Sequence, residues 1–216
     1  MFVLNFHAIG RPRRELISGE TDVCVSRGQF LDILDAVAER EDVELTFDDG
    51  NRSDIDEVLP ALQERGMRAQ FFVCPALFGA PGYIRASDVG RLRDAGMPVG
   101  SHGMDHVGWR NLSPAELDRE VAQAKRILEV AVGEPVVAAA CPFGAYDRRS
   151  LNALRDAGFE RVYTSDGGSA RPGDWLIARN TVGSSDSAES IESMLNTANG
   201  HVPVGDRARR LVKQWR

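Results

Sequence analysis

Short apolar runs rich in β-branched and aromatic residues alternate along this chain with longer stretches in which apolar residues recur every three or four positions. Strand-period segments trading places with helix-period segments are the βα pattern of a parallel sheet. The pattern predicts seven strands, at 2–6, 43–47, 69–74, 97–100, 136–141, 161–164 and 175–178. Caps announce the helices between them. Ser26 with Gln29 has capping-box spacing, and so has Ser113-Pro114-Ala115-Glu116, where proline takes the first helical position. The second box opens a long helix that turns Leu117, Val121, Ala124 and Leu128 to one face and stops at Gly133. Ser53 opens another, with Ile55, Val58, Leu59 and Leu62 inward and Gly66 as its stop. Shorter helices are predicted over 87–96, 147–158 and 187–196, with a terminal one over 208–215, while 165–173 and 199–206 read as loops rich in Gly, Ser and Pro.

Parallel α/β sheets gather their chemistry at the C-terminal ends of the strands. The polar residues that follow the predicted strands fall there: His7 after the first, Asp48-Asp49 after the second, His102 and His106 after the fourth, Pro142-Phe143 after the fifth, Thr164-Ser165-Asp166 after the sixth and Arg179 after the seventh. Residues remote in sequence would meet on one rim.

Composition narrows the class. A chain of 216 residues with 43% hydrophobic content suits one domain, 1–216, with a core that needs no staples. A net charge of -6 supplies no basic field, so nucleic acid is not expected as a partner. The three cysteines, Cys24, Cys74 and Cys141, have no C-x-x-C spacing, which argues against a disulfide framework. No run is long enough for a membrane span, and the opening residues lack a basic leader, so a cytoplasmic location is the expectation. Nothing in the chain specifies an oligomeric state.

Asp48 and Asp49 are neighbours, so in extended backbone they point to opposite sides, leaving one to bind a cation and the other to face a reacting water. His102 and His106 at i, i+4 would share one helical face, the device by which H-E-x-x-H presents two nitrogens to zinc. One carboxylate, two imidazoles and an open position make a catalytic divalent-metal site. Asp105 reads as solvated, Cys141 as a small buried residue, and Trp109 and Trp175 as packing residues or sugar-stacking platforms.

At these residues the chain resembles the polysaccharide deacetylase family, the NodB-like carbohydrate esterases. T-F-D-D-G at 46–50 is similar to the family's first motif, S-H-x-x-x-H at 101–106 to its second, and Ala140-Cys141-Pro142-Phe143-Gly144 to an altered third. The resemblance implies a distorted (β/α)7 barrel with its active site at the strand C-terminal ends, and metal-dependent removal of acetyl groups from N-acetylated sugars. It implies Asp48 as general base and Asp49, His102 and His106 as ligands of a divalent metal, zinc first, with nickel, cobalt and ferrous iron as alternatives. The backbone N–H of Phe143 would bind the oxyanion, since Pro142 has none. Two departures accompany the resemblance. The family's arginine partner of the base falls at Ala140, leaving Arg148 or Arg179 to supply the charge. The C-terminal Leu-x-His that usually holds the general acid is also missing, with His201 a weak substitute and His7 the better one. A branch of the family with circularly permuted motifs places its acid histidine after the first strand, as here. His7 is then expected to face the metal, its second nitrogen held by a carboxylate or carbonyl. Two rivals stay open: a cyclic imide or ureide C–N hydrolase of the same superfamily, and a carbohydrate- or metal-binding module without turnover, motivated by Ala140.

Overall fold

In a computed structural model, which describes residues 1–12, 14–16 and 19–198, the predicted strands form one parallel sheet wound into a nearly closed barrel. The strands are β1 (Phe2–Phe6), β2 (Val43–Phe47), β3 (Gln70–Val73), β4 (Val99–Ser101), β5 (Ala138–Ala140), β6 (Arg161–Thr164), β7 (Leu176–Ala178) and β8 (Asn180–Thr181). Their order is β7-β6-β5-β4-β3-β2-β1-β8. The seventh predicted run, 175–178, yields β7, which pairs with β6, Val162 opposite Leu176; an eighth strand that the pattern did not predict, β8, follows it and pairs with β1, Leu4 opposite Asn180 and Asn5 opposite Thr181. Arg179 alone separates the two strands, so it stands at the seam where the barrel closes.

Period-two alternation divides the side chains between two cores. Leu4, Phe6, Leu45, Phe47, Phe71, Val73, Ala139 and Cys141 face outward into the larger core beneath the helices. Val3, Phe72, Ala138, Ala140, Tyr163 and Ile177 fill the barrel's interior. In the outer core Phe47 stacks on Phe6 and Phe71, with ring centroids 5.3 and 5.1 Å apart, and Phe30 of α1 (Arg27–Val37) meets both Phe6 and Phe47 edge-on. Burying such a ring contributes about 1.5–3 kcal/mol. At the N-terminal end of the barrel Glu44 accepts from the Tyr163 hydroxyl and pairs with Arg161 at 2.7 Å.

The capping boxes at Ser26 and Ser113 form as expected, and Asp147 caps α6 (Arg148–Asp156) in the same way. Two helices depart from expectation. Ser53 does not cap; its hydroxyl accepts the Ile9 N–H at 3.1 Å, and a π-helical turn, Asp54–Val58, leads into α2 (Leu59–Glu64). The long helix expected from Ser113 to Gly133 is α4 (Pro114–Asp118), a π-helical turn Arg119–Gln123 and α5 (Ala124–Val132), stopped by Gly133 at φ 78°. Helices α3 (Ala86–Asp94) and α7 (Ala188–Ala198) complete the set. The predicted loop 199–206, with His201, and the helix over 208–215 lie outside the described residues. Among those described, no helix is long and apolar enough to cross a membrane.

Candidate active site

The alternation that turns Val3 and Phe72 inward also turns Asn5, Thr46 and Asp48 inward, at the C-terminal end of the barrel. Asp48 continues the β1–β2 ladder, its N–H donating to Phe6 O at 3.0 Å. Asp49 then leaves the extended line at φ 76° and Gly50 follows at φ 72°. A side chain at Gly50 would crowd Val73, whose Cγ1 lies 3.2 Å from the position of a Cβ. This bend overturns the expectation that the two carboxylates diverge. Asp48 Oδ2 and Asp49 Oδ1 lie 3.7 and 3.6 Å from the same atom, His102 Nε2.

Arg179 holds Asp48. Its Nη1 and Nη2 donate to Oδ1 and Oδ2 at 2.7 Å each, and Asn5 Nδ2 adds a bond to Oδ2 at 3.0 Å. Asn5 Oδ1 in turn accepts from Arg179 Nη1 and Thr46 Oγ1, both at 2.8 Å. The guanidinium passes over the rings of Phe72 and Tyr163, in interior space bordered by the methyl group of Ala140. Burial by itself would raise the Asp48 carboxyl, but the charge of Arg179, followed by His102, the Arg179 hydrogen bonds and His7, outweighs it and holds the group far below the usual carboxylate range. Of the two arginine candidates, Arg148 is exposed in the first turn of α6 and Arg179 is the partner. Sequence reasoning missed Asn5 and Thr46. The signal available was a polar residue at an inward position of an otherwise apolar strand.

His102 is 1% exposed, and its Nδ1 lies 2.9 Å from Ala140 O. A carbonyl oxygen only accepts, so Nδ1 carries the proton and the Nε2 lone pair faces the carboxylates. Burial lowers its pKa to about 4 and keeps it neutral, the form that ligates. His106 does not reach the site on a helix. Residues 102–106 form an irregular loop, and His106 at φ 56° brings Nε2 to 3.1 Å from Asp49 Oδ1. Ligand atoms of Asp49, His102 and His106 all lie within 4.8 Å of one another. Asp49 Oδ1 is buried and makes no hydrogen bond among the described residues, whereas both Asp48 oxygens are already taken by donors. An uncommitted carboxylate oxygen beside two imidazoles fits a divalent cation, and the arginine-bound carboxylate does not compete for it.

The other candidates divide by position. His7 follows β1 directly, is half-buried, and acts electrostatically on Asp48. The expected hydrogen bond from its second nitrogen is not formed, for Nδ1 is buried without a partner among the described residues. Phe143, at φ 55°, lays its ring 4.6 Å from the His106 ring and is 64% exposed, an apolar surface at the rim. Trp175 is displaced from the site altogether. It precedes β7 and so lies at the barrel's N-terminal end, with its Nε1 donating to Phe159 O at 2.8 Å and its ring under Arg155; it offers no platform for a sugar at the opposite rim. Trp109 is fully buried packing, as is Cys141, and Asp105 is an ion-pair partner of Arg119 at 2.6 Å where a merely solvated residue was expected.

The chain is similar to known proteins in sequence and in fold. The sequence profile of the polysaccharide deacetylase family matches residues 35–162. The Bacillus subtilis protein YxkH, which carries the same family name, is 27% identical over 138 residues, 64% of this chain and 50% of its own length. A chitooligosaccharide deacetylase of Sinorhizobium fredii is 32% identical over 135 residues, 62% of this chain and 59% of its own. The chain thus spans about half the length of these curated relatives. The fold matches that of Streptococcus pyogenes deacetylase PplD, solved in complex with acetate, with a TM-score of 0.78 at 19% identity over 90% of this chain and 97% of that one.

Proposed function

Because this chain belongs to the polysaccharide deacetylase family, we propose that it is a metal-dependent hydrolase that removes N-acetyl groups from an amino sugar, a polysaccharide or a glycan precursor. The observation that carries the reading is the placement of Asp49, His102 and His106 within ligand reach of one another, directly beside an Asp48 that Arg179 keeps ionised. A divalent cation held by those three residues, zinc by preference, supplies Lewis acidity to the attacking water and to the amide carbonyl.

The protein's own groups do the rest. Asp48 accepts the proton of the attacking water, with Arg179 and Asn5 fixing the direction its carboxylate faces. The backbone N–H of Phe143 donates to the carbonyl oxygen as it gains negative charge. His7 gives a proton to the departing nitrogen, leaving acetate and a free amine, as in the permuted branch of the family. The module without turnover loses its motive, because Arg179 fills the role that Ala140 left open. The ureide and imide route has no observation in its favour.

The direct test is acetate release from N-acetylglucosamine, its oligomers, nucleotide sugars and lipid-linked sugars, with a cyclic imide as the competing substrate. His102→Ala is expected to abolish stoichiometric metal while circular dichroism shows the fold intact. Full metal content in that variant would remove the ligand assignment. His7→Ala is expected to keep its metal and lower kcat by about 10²–10⁴, the contribution of a general acid. The alkaline limb of its pH–rate profile should flatten; an unchanged profile would leave the amine's proton to another donor.

A further inference from the structure

The five residues His102–His106 carry two of the three proposed ligands, yet they form neither helix nor strand. Some other element must hold their shape. His102 N–H donates to Val73 O at 3.0 Å and Met104 O accepts from Ala76 N–H at 3.1 Å, which ties the loop to β3 and the residues after it. Two successive N–H groups in the middle of the loop are held by one carboxylate. Glu120 Oε2 accepts the Met104 N–H at 2.9 Å, and its two oxygens share the Asp105 N–H at 3.2 and 3.4 Å. Glu120 is 2% exposed. It is held so close that a Cβ at Gly103 would lie 2.5 Å from Oε2, and Gly103 itself sits at φ 82°, so both contact and backbone require glycine there. Glu120 lies in the π-helical turn Arg119–Gln123, an interruption of a helix that is otherwise α-helical from its Ser113 cap to Gly133. Such bulges re-aim side chains within a helix and concentrate at functional sites. Here two consecutive residues of the turn reach the same loop, Glu120 from the buried side and Arg119 through its exposed pair with Asp105.

We infer that Glu120 is a positioning residue for the metal site: by gathering two successive backbone N–H groups it holds the loop in the one shape that keeps His106 Nε2 beside Asp49 Oδ1, and so sets metal affinity. His106 needs this support because its own φ of 56° is a conformation that side-chain-bearing residues rarely adopt unaided. The inference rests on the metal-site reading above, and the experiment separates the two.

Zinc affinity is measured by competition with a chromophoric chelator for the wild type, His106→Ala, Glu120→Ala, Glu120→Gln and Arg119→Ala, and for Leu128→Ala, which opens a cavity beneath α5, eight residues along the chain from Glu120. Outer-shell partners of metal ligands typically contribute about 10- to 100-fold in affinity. Glu120→Ala is expected to weaken zinc by that factor. Glu120→Gln, which keeps the shape and one acceptor, should fall between it and the wild type. Arg119→Ala and Leu128→Ala should bind within about twofold of the wild type, since a screened surface pair and a distant loss of packing leave the loop's shape alone. If the wild type binds no zinc, or His106→Ala binds as the wild type does, the ligand reading itself fails. If those two behave as expected but folded Glu120→Ala binds as tightly as the wild type, Glu120 has no positioning role. Should Glu120→Ala not fold, Glu120→Gln decides, and wild-type affinity there overturns the proposal. A loss in Leu128→Ala equal to that in Glu120→Ala overturns it as well, because destabilisation alone would then explain the effect.

Discussion

Asp48→Asn is expected to retain one metal per chain and lose turnover by about 10²–10⁴, the range that a general acid–base group supplies. The metal should stay because the ligand cluster uses Asp49, and Asp48 is committed to Arg179 and Asn5. The substitution is nearly isosteric but exchanges an acceptor oxygen for an NH₂ that faces donors. One guanidinium bond is lost and the Arg179 charge is left without a counter-ion in a buried setting. A fall in melting temperature should therefore accompany the fall in kcat. Metal content and steady-state rates on one N-acetylated oligosaccharide are the measurements. Near-normal turnover would remove Asp48 as base, and loss of metal would show that the two aspartates have exchanged roles.

Arg179→Ala should be the most destabilising single change at the site. The pair is buried on both sides, at 1% exposure for Arg179 and 2% for Asp48. Breaking such a pair by removing one partner costs about 3–5 kcal/mol, a large share of the roughly 5–15 kcal/mol that holds a domain folded. The pH dependence has a definite sign. The folded Asp48 carboxyl is depressed, so its contribution is fully present above the unfolded value of about 3.9 and is lost as pH falls towards the folded one. In the variant the carboxyl has no guanidinium and gains by taking up a proton. The gap in stability between the two proteins should therefore be widest at neutral pH and narrow below about pH 4. Denaturant unfolding across that range reads it directly; a gap independent of pH would show that the pair contributes nothing through charge. A second readout uses the barrel's own geometry. Ala140 faces the same interior as Arg179, so Ala140→Arg placed in the Arg179→Ala background returns a guanidinium to Asp48 from β5. Partial recovery of kcat is expected, and the His102 bond to the Ala140 carbonyl should survive because it uses the backbone.

Much of this protein was legible in its one-dimensional pattern. Strand runs and helix boundaries follow from side-chain period and from caps whose hydrogen bonds span three residues, as at Ser26 and Ser113. Asp48, Asp49, His102 and His106 announced themselves because each follows a strand, and parallel strands place such positions on one rim. What local pattern cannot hold is the register of strands that meet from opposite ends of the chain. Choosing Arg179 over Arg148 required the seam, where β7 lies on β6 and β8 on β1; the pair it forms with Asp48 bridges 131 residues. Strand alternation already turned Asn5 and Thr46 to the inner face, but their contacts with Arg179 also had to wait for the seam. Trp175 went the other way, since a residue just before a strand lands at the end opposite to one just after it, a difference of a few positions within the uncertainty of any predicted boundary. The loop His102–His106 suited a helix on spacing alone. In its actual shape the loop gives its Met104 and Asp105 N–H groups to the Glu120 carboxylate, 16 and 15 residues further on, and its His102 N–H to Val73 O. Short-range periodicity and capping thus determined the elements and the rim; long-range pairing, which acts only once the barrel has closed, decided which charges face each other across it.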